Sequence, residues 1–233
     1  MAEIRNILAC DTSTSTLHIA LKCEEGFEER MIAGGFQHSE DLLQEITYML
    51  ERRNLKVADL DLLVCTRGPG SFTSLRIAMS TLKGFSLAKN IPLVSVPTLE
   101  AIAGAYMIPD VLTLAVLDAK KKRYYLGLYR NGMKEGENID GNVEDILPLI
   151  EKERTLALTG PDAGKFSSQI KEHLPSLNII MDRISIRPLG SVLIEMGIRQ
   201  LEKEGPDDIG TGPVYIRRSD AEEALLAKEK NKE

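Results

Sequence analysis

The sequence predicts an α/β protein built from two halves of similar layout, and three features of the chain support that class. Residues 7–11, 17–23 and 28–33 have the apolar or alternating pattern of β-strands, with short turns between them. Helices and strands then alternate, so that the first half is predicted as βββαβαβα with one mixed five-stranded sheet. A later strand ends in Asp118 as the first strand ends in Asp11, which indicates that the pattern starts again.

Capping residues and hydrophobic spacing predict the other elements of the first half. Ser39 precedes Glu40 and Asp41, which is an N-cap followed by acidic residues that suit the positive end of a helix. Gly-Pro-Gly at residues 68–70 ends a buried strand, because glycine permits positive φ and proline fixes the bend. Thr98 can cap a short helix. The expected elements are strands at residues 60–64 and 91–97 and helices at residues 39–52, 72–89 and 99–106.

The second half is predicted as a partial copy of the first, which indicates an internal duplication. The order βββαβαβα is that of a ribonuclease-H-like domain, and Pro109 marks a boundary between one such domain at residues 1–108 and a second at 109–215. A charged tail at residues 216–233 follows. The expected elements are strands at residues 111–117, 124–129, 155–159 and 178–181 and helices at residues 143–151, 165–173 and 189–203. We expect that the last of these helices can pack against the first domain.

The composition is that of an ordinary soluble globular protein, and it excludes several functional classes. The 233 residues are 43% hydrophobic and 27% charged. The net charge of −6 argues against a protein that binds nucleic acid through its own electrostatic attraction. If an RNA is involved, a more basic partner would bind it. No apolar run reaches the roughly 18 residues of a membrane span, and the N-terminus lacks a signal-peptide pattern. We therefore expect a cytoplasmic protein without membrane contact.

The cysteines and histidines predict neither disulfides nor a metal site. The three cysteines are widely spaced in apolar, strand-like contexts, which is typical of small buried residues in a reducing compartment. The three histidines are far apart, and no HExxH or CxxC pattern is present. We expect no bound catalytic metal.

Two turns are candidate nucleotide loops. Gly68 and Gly70 lie between a strand and a helix, where free backbone N–H groups converge on a point that suits an anion. Asp11, Thr12 and Ser13 bring a carboxylate and hydroxyl groups to the tip of the first hairpin, where they could touch a phosphate or its magnesium ion. Each turn also has a purely structural explanation, as a tight strand-to-helix connection and as an Asx or Ser/Thr turn. The expected nucleotide binding is therefore weak or vestigial.

Small residues recur at helical spacing along the helix that follows the glycine turn. Ser74, Ala78, Thr81, Gly84 and Ala88 lie among larger apolar residues, and such a stripe lets another helix approach closely. Glycine inside a helix is about 1 kcal/mol less favourable than alanine, so Gly84 indicates a packing requirement. The approaching helix could belong to this chain or to another.

Several motifs together make the chain similar to a known family. They are DTST at residues 11–14, HSE at 38–40 with LL at 42–43, GPGSFT at 68–73 with LRI at 75–77, and PVYIR at 213–217. On these motifs the chain resembles the bacterial TsaB (YeaZ) family, which belongs to the biosynthesis of threonylcarbamoyladenosine in transfer RNA. The resemblance covers nearly the whole chain, although the second half matches by layout more than by motif.

The resemblance implies an actin/Hsp70-like ATPase fold and a subunit that is not itself catalytic. It implies that the chain pairs with the catalytic paralogue TsaD and that this pair acts together with the ATPase TsaE. The chain would contact tRNA only indirectly, through that complex. No cofactor is expected to bind tightly, although the resemblance allows ATP or ADP to bind at the interface with a partner. The chain alone should form a homodimer. The implied pairing surface is a bundle of the first two long helices, with the residues His38, Leu42, Leu43, Ile46, Met49, Phe72, Ser74, Leu75, Arg76, Ala78, Thr81, Leu82 and Phe85.

One segment supports the non-catalytic role. TsaD-like sequences carry His-Leu-Glu-Gly-His, whose histidines bind the active-site metal. The matching segment here is TLEAI at residues 98–102, so Thr98 and Ile102 replace both histidines. The chain departs from its own family at Ser74, where glycine is usual. Serine is still small enough for another helix to approach closely, but its side chain covers backbone that a glycine would leave exposed.

Two other functions are open to a chain of this fold. A free-standing ATP-dependent phosphotransferase would use Asp11 and the glycine turns on ATP, but the second half is short for a nucleotide cleft and lacks a glycine cluster near its end. A metallopeptidase-like protein would need the histidine pair that Thr98 and Ile102 replace.

A basic hairpin tip at Lys120, Lys121, Lys122 and Arg123 completes the candidate sites. Its structural explanation is a solvated turn. It is also the best local candidate in this acidic chain for contact with a polyanion.

Overall fold

A computed structural model of the chain describes residues 4–34 and 38–217. The side chains of His38 and Ser39, which we predicted as an interface residue and a helix cap, lie outside this description. So does the predicted C-terminal tail from residue 218 onward. Among the described residues, no helix is long and apolar enough to cross a membrane.

The first half contains one mixed sheet with helices against it. Its elements are β1 (Ile7–Asp11), β2 (Thr16–Cys23), β3 (Gly26–Ala33), α1 (His38–Arg52), β4 (Leu62–Thr66), α2 (Phe72–Lys89), β5 (Leu93–Val96) and α3 (Thr98–Gly104), with a short 3-10 helix at Val57–Asp59. The strand order is β3-β2-β1-β4-β5, in which β1 pairs antiparallel with β2 and parallel with β4. The predicted order βββαβαβα is confirmed.

The second half repeats this arrangement. Its elements are β6 (Leu112–Lys120), β7 (Arg123–Arg130), β8 (Met133–Lys134), β9 (Ile139–Gly141), α4 (Val143–Ile150), β10 (Thr155–Thr159), α5 (Ala163–His173), β11 (Asn178–Met181) and α6 (Gly190–Glu204). The strand order β8-β7-β6-β10-β11 has the same antiparallel and parallel pairings as the first sheet. The α/β class with two equivalent halves is therefore confirmed.

Some predicted element ends shift for local reasons. β4 begins at Leu62 rather than at residue 60, because the Asp61 carboxylate accepts two backbone N–H groups from the segment that leads into β1, at 2.9 and 2.8 Å. Thr98 is the first residue of α3, so that Pro97 occupies the N-cap position that we predicted for Thr98. The strands β8 and β9 were not predicted, because two or three residues are too few for a readable period.

Three hydrophobic clusters form the buried core, one within each half and one between them. One lies between the first sheet and the helices α1 and α2, and another lies between the second sheet and the helices α4 and α5. The third fills the space between the two sheets, where α3 and α6 pack. Val64 of β4, Leu193 of α6 and Leu117 of β6 all belong to this central cluster. The two halves therefore share a core.

The helix α6 packs against the first sheet although it comes late in the chain. Its first backbone N–H, at Gly190, donates to the Glu29 carboxylate of β3 at 2.8 Å. A side chain of the first half therefore caps the N-terminus of this helix. A Cβ at Gly197 would overlap the Val64 side chain of β4, which shows how closely α6 approaches the sheet. Glycine is needed at such a contact because any larger residue would push the helix outward.

Residues 205–217, which we call the C-terminal strap, continue from α6 along the first half. The Asp207 N–H donates to the Leu93 carbonyl on the outer edge of β5 at 2.8 Å. The Lys83 ammonium of α2 donates to the carbonyls of Ile209 and Thr211 at 2.6 and 2.5 Å. The strap thus covers one edge of the first sheet and lies beside α2.

Candidate functional site

The two predicted nucleotide loops meet at the carboxyl ends of the parallel strands β1 and β4. The Asp11 carboxylate accepts hydrogen bonds from the Thr66 hydroxyl at 2.6 Å and from the Ser13 backbone N–H at 2.9 Å. The Ser71 N–H donates to the Ser13 carbonyl at 2.8 Å, and the Thr12 hydroxyl donates to the Ser74 carbonyl at 2.7 Å. The loops are therefore bonded to each other as well as folded on themselves.

The glycines of these loops permit close packing of backbone on backbone. A Cβ at Gly70 would lie only 2.7 Å from the Ser13 carbonyl oxygen. A Cβ at Gly68, whose φ is +109°, would overlap the carbonyl oxygen of Val214 in the C-terminal strap. This turn thus serves the structural role that was the alternative explanation for it, since it admits the first hairpin on one side and the strap on the other.

One small cavity lies at the boundary between the two halves. A cavity of about 40 Å³ lies between the first hairpin, with Thr14, Thr16 and His18, and the second half, with Gly160 and Arg187. Such a volume has room for one or two water molecules. The Asp11 Oδ2 and Ser13 Oγ atoms are buried without a hydrogen-bond partner among the described residues. Nucleotide binding at these loops stays a prediction.

A buried carboxylate in the second half holds the loop that borders this cavity. The Arg187 guanidinium donates to both oxygens of Asp182 at 2.6 and 2.9 Å, and the Thr159 hydroxyl donates at 3.0 Å. Burial raises the pKa of Asp182, but the hydrogen bonds from Arg187, Ile184 N–H and Thr159 outweigh it, so the net pKa is lowered from 3.8. Arg187 also lies over the Tyr106 ring at 5.0 Å, which links the second half to the end of α3.

Asp182→Asn should destabilise the chain by about 2 kcal/mol at neutral pH, because it removes charged hydrogen bonds while keeping the shape. Since the folded pKa is lowered, the contribution is complete above the ordinary value of 3.8 and is lost as the pH falls through the folded value. Urea unfolding at a series of pH values measures this. The difference between wild type and variant should shrink in acid, and a difference that does not change with pH would contradict the account.

The cysteines are buried as predicted, and all three are free thiols. Burial raises the pKa of the Cys65 thiol to about 12 and also raises that of Cys10, so neither forms the reactive thiolate near neutral pH. Within residues 4–34 and 38–217, no three His, Cys, Asp or Glu side chains are placed to hold a metal ion.

The structure divides the predicted pairing residues into two groups. One group packs in this chain's own core beneath α1 and α2, and its members are Leu42, Ile46, Met49, Leu75, Ala78 and Leu82. These side chains support the helices from inside and are not available to a partner in this arrangement. The other group is at least partly accessible at the surface, and its members are Leu43, Phe72, Ser74, Arg76, Thr81 and Phe85. Of these, Phe85 also packs against the core beneath α1 and α2.

The exposed side of α2 includes Gly84 from the row of small residues that the sequence indicated, but it does not include Ala78. Ala78 faces the core, whereas Thr73, Ser80, Gly84 and Leu87 face outward at spacings of three, four and seven residues. Leu87 is 70% exposed, and sequence reasoning missed it. Its spacing from Ser80 and Gly84 was the signal that could have found it. We call these four residues the outer face of α2.

Two motifs that are far apart in the chain meet at the start of α2. The Arg76 guanidinium donates to the Tyr215 hydroxyl at 2.9 Å and lies 3.9 Å from the centre of the Phe72 ring. Phe72 and Tyr215 stack with ring centres 4.4 Å apart. The Val214 N–H donates to the Arg67 carbonyl at 2.6 Å. The strap is thereby fixed to the glycine turn, and an open groove of about 510 Å³ runs along α2 beside Gly212 and Pro213 of the strap.

Comparison with known proteins identifies the family of this chain. Residues 34–182 match the family model of TsaD, described as tRNA N6-adenosine threonylcarbamoyltransferase. The chain is 31% identical over 230 residues to the tRNA threonylcarbamoyladenosine biosynthesis protein TsaB of Bacillus subtilis, which covers 96% of this chain and 99% of that protein. The chain belongs to the TsaB family. The predicted resemblance is thus confirmed.

Other members of the TsaB family agree with this assignment. The TsaB protein of Escherichia coli is 28% identical over 181 residues, which cover 70% of this chain and 77% of that one. The solved structure of YeaZ from Pseudomonas aeruginosa superposes with a TM-score of 0.76 at 22% identity, over 91% of this chain and 100% of that chain. At that identity the likeness establishes a shared fold. The two-halved architecture of this chain is therefore also the fold of that YeaZ protein.

Proposed function

We propose that this TsaB-family chain is a non-catalytic subunit that pairs with a TsaD-type paralogue and activates it. Its relatives are named for tRNA threonylcarbamoyladenosine biosynthesis, and this assigns the chain a role in that modification. The finer proposal is that the pair, together with TsaE, forms N6-threonylcarbamoyladenosine at position 37 of tRNAs that read codons starting with A. The chain itself would supply a surface rather than a reacting group.

The observation that carries the non-catalytic role is the pair Thr98 and Ile102 in α3. The chain matches the transferase family model across this segment, yet neither residue has the imidazole that the resemblance implies for the catalytic paralogue. Thr98 is fully buried, and Ile102 packs in the central hydrophobic cluster between the sheets. In this chain the two positions are therefore held by buried side chains that lack an imidazole, and Ile102 contributes to the packing between the sheets.

The exposed sides of α1 and α2 support the pairing surface. Leu43 of α1 is 52% exposed, and Leu87 on the outer face of α2 is 70% exposed. Apolar side chains around a small-residue face favour contact with another helix pair. A chain without its paralogue would use the same surface for a two-fold homodimer.

The charge of the chain supports an indirect role toward tRNA. At −6 overall, the chain would not hold a polyanion through its own field, so the proposed complex supplies most of the affinity. No tightly bound cofactor is part of the proposal, although ATP or ADP at the joint with a partner is compatible with it. The cytoplasm, where tRNA is modified, is the expected location.

A reconstituted transfer assay tests the proposal directly. The paralogue, TsaE, the adenylate-forming enzyme, ATP, threonine and tRNA are combined with and without this chain, and modified adenosine is measured. We expect modification to depend on the chain by at least about tenfold, which corresponds to 1.4 kcal/mol, and the chain alone to show none. Equal rates with and without the chain would overturn the proposal, and turnover of ATP by the chain alone would favour a phosphotransferase.

A further inference from the structure

The tip of the β6–β7 hairpin combines exposed cations with an unusual backbone. Lys120, Lys121 and Lys122 have φ values of 61°, 55° and 61°, so three successive residues with side chains adopt the left-handed conformation. This conformation is disfavoured for every residue except glycine, with Asn and Asp the partial exceptions. All three lysines are exposed. Lys121 and Lys122 are the two central residues of the turn between the paired residues Lys120 and Arg123, and a type I′ hairpin turn requires positive φ at both of them. The tip therefore presents adjacent lysines on a defined hairpin turn.

The C-terminal strap brings further positive charge to the same place. The Arg217 guanidinium donates to the Ala119 carbonyl at 3.4 Å, directly beside the tip. The cations at this place therefore come from two separate parts of the chain, the hairpin and the strap. We call Lys120, Lys121, Lys122 and Arg217 the basic patch.

Asp118 and Asp140 pair with cations at the base of the hairpin tip. Asp118 pairs with the Lys120 ammonium at 3.2 Å and accepts the Lys120 backbone N–H at 2.7 Å. Asp140 pairs with Arg123 at 2.8 Å on the neighbouring strand. These contacts hold the hairpin base in position, while Lys121 and Lys122 stand at its exposed apex. The geometry presents positive charge outward from an otherwise acidic chain.

We propose that the basic patch contacts the sugar-phosphate backbone of the RNA substrate. This inference rests on the proposed function, because it assumes that the complex with the paralogue holds a tRNA. Lysine and arginine that reach phosphates add affinity without reading sequence, and a small patch can add such contacts once a partner has captured the polyanion. A repeating phosphate chain fits several neighbouring cations better than a single carboxylate does.

Charge reversal at the apex tests the inference. The double variant Lys121→Glu with Lys122→Glu is paired with the paralogue, and the binding of unmodified tRNA is measured by fluorescence anisotropy at two or more salt concentrations. We expect at least about tenfold weaker binding and a shallower salt dependence, since each lost phosphate contact reduces the slope by roughly 0.7 to 0.9. The conservative pair Lys121→Arg with Lys122→Arg should keep wild-type affinity.

A matched control separates a local contact from a general charge effect. Lys152 and Lys165 are exposed lysines elsewhere on the second half, and their reversal to glutamate makes the same change in net charge. Equal loss of affinity in this control, or wild-type affinity in the apex variant, would overturn the inference. Competition by polyglutamate as effective as that by tRNA would also overturn it and would indicate an acidic protein partner.

Pairing is measured separately by gel filtration of each variant with the paralogue. Because the apex is exposed and lies on the second half, its variants should pair normally. If the wild-type chain itself did not pair, the proposed function would fail. If it paired and the apex variant bound tRNA as wild type does, only the present inference would fail.

Discussion

Gly84→Arg on the outer face of α2 should abolish pairing with the paralogue while leaving the chain folded. No atom lies within 4 Å of a Cβ built at Gly84, so the isolated chain has room for the new side chain. Removing a mid-helix glycine should even stabilise α2, by up to about 1 kcal/mol. A long charged side chain on a close helix contact would separate the partners, and we expect affinity to fall by at least about 100-fold, or 2.7 kcal/mol.

Gel filtration with light scattering measures this effect, and thermal unfolding verifies the fold. Gly164→Arg is a matched control, because Gly164 is also an exposed helical glycine with no atom within 4 Å, but it lies in α5 of the second half. That variant should pair normally. Ala78 is unsuitable for this test, since it is fully buried in the core and its replacement would report on folding. Normal pairing by Gly84→Arg would refute the proposed surface.

Gly160→Ala should cause one of the largest losses of stability available from a single methyl group. Gly160 has a φ of +107°, and a Cβ there would overlap the Val116 carbonyl oxygen of the adjacent strand β6. The backbone conformation alone disfavours alanine by about 1–2 kcal/mol, and forcing β6 aside adds about 1–3 kcal/mol. We therefore expect the free energy of unfolding, measured in urea, to fall by about 3 kcal/mol.

A second glycine separates the conformational effect from the steric one. Gly136 has a φ of +78°, yet nothing lies within 4 Å of a Cβ built there. Gly136→Ala should therefore show the conformational part alone, about 1–2 kcal/mol. If both variants lost the same stability, the close approach of Gly160 to β6 would have no energetic consequence, and that part of the account would be wrong.

The local chemistry of the chain determined the elements and their order. The apolar runs of β1 and β4 and the glycine-proline turns each act over a few neighbouring residues, so their patterns can be read directly. The duplication was visible for the same reason, because Gly68 and Gly160 stand at equivalent turns, and the structure gives them φ values of +109° and +107°. The family motifs were also readable as local strings.

Contacts between distant segments were decided only by the tertiary structure. Arg76 and Tyr215 are 139 residues apart, and no periodicity indicates that a strap returns to place one against the other. The choice of which side of α2 faces outward depended on the strands beneath it, which bury Ala78 and leave Gly84 exposed. Helical spacing predicts rows of residues, but the core that forms under the helix selects the row that is free to meet a partner.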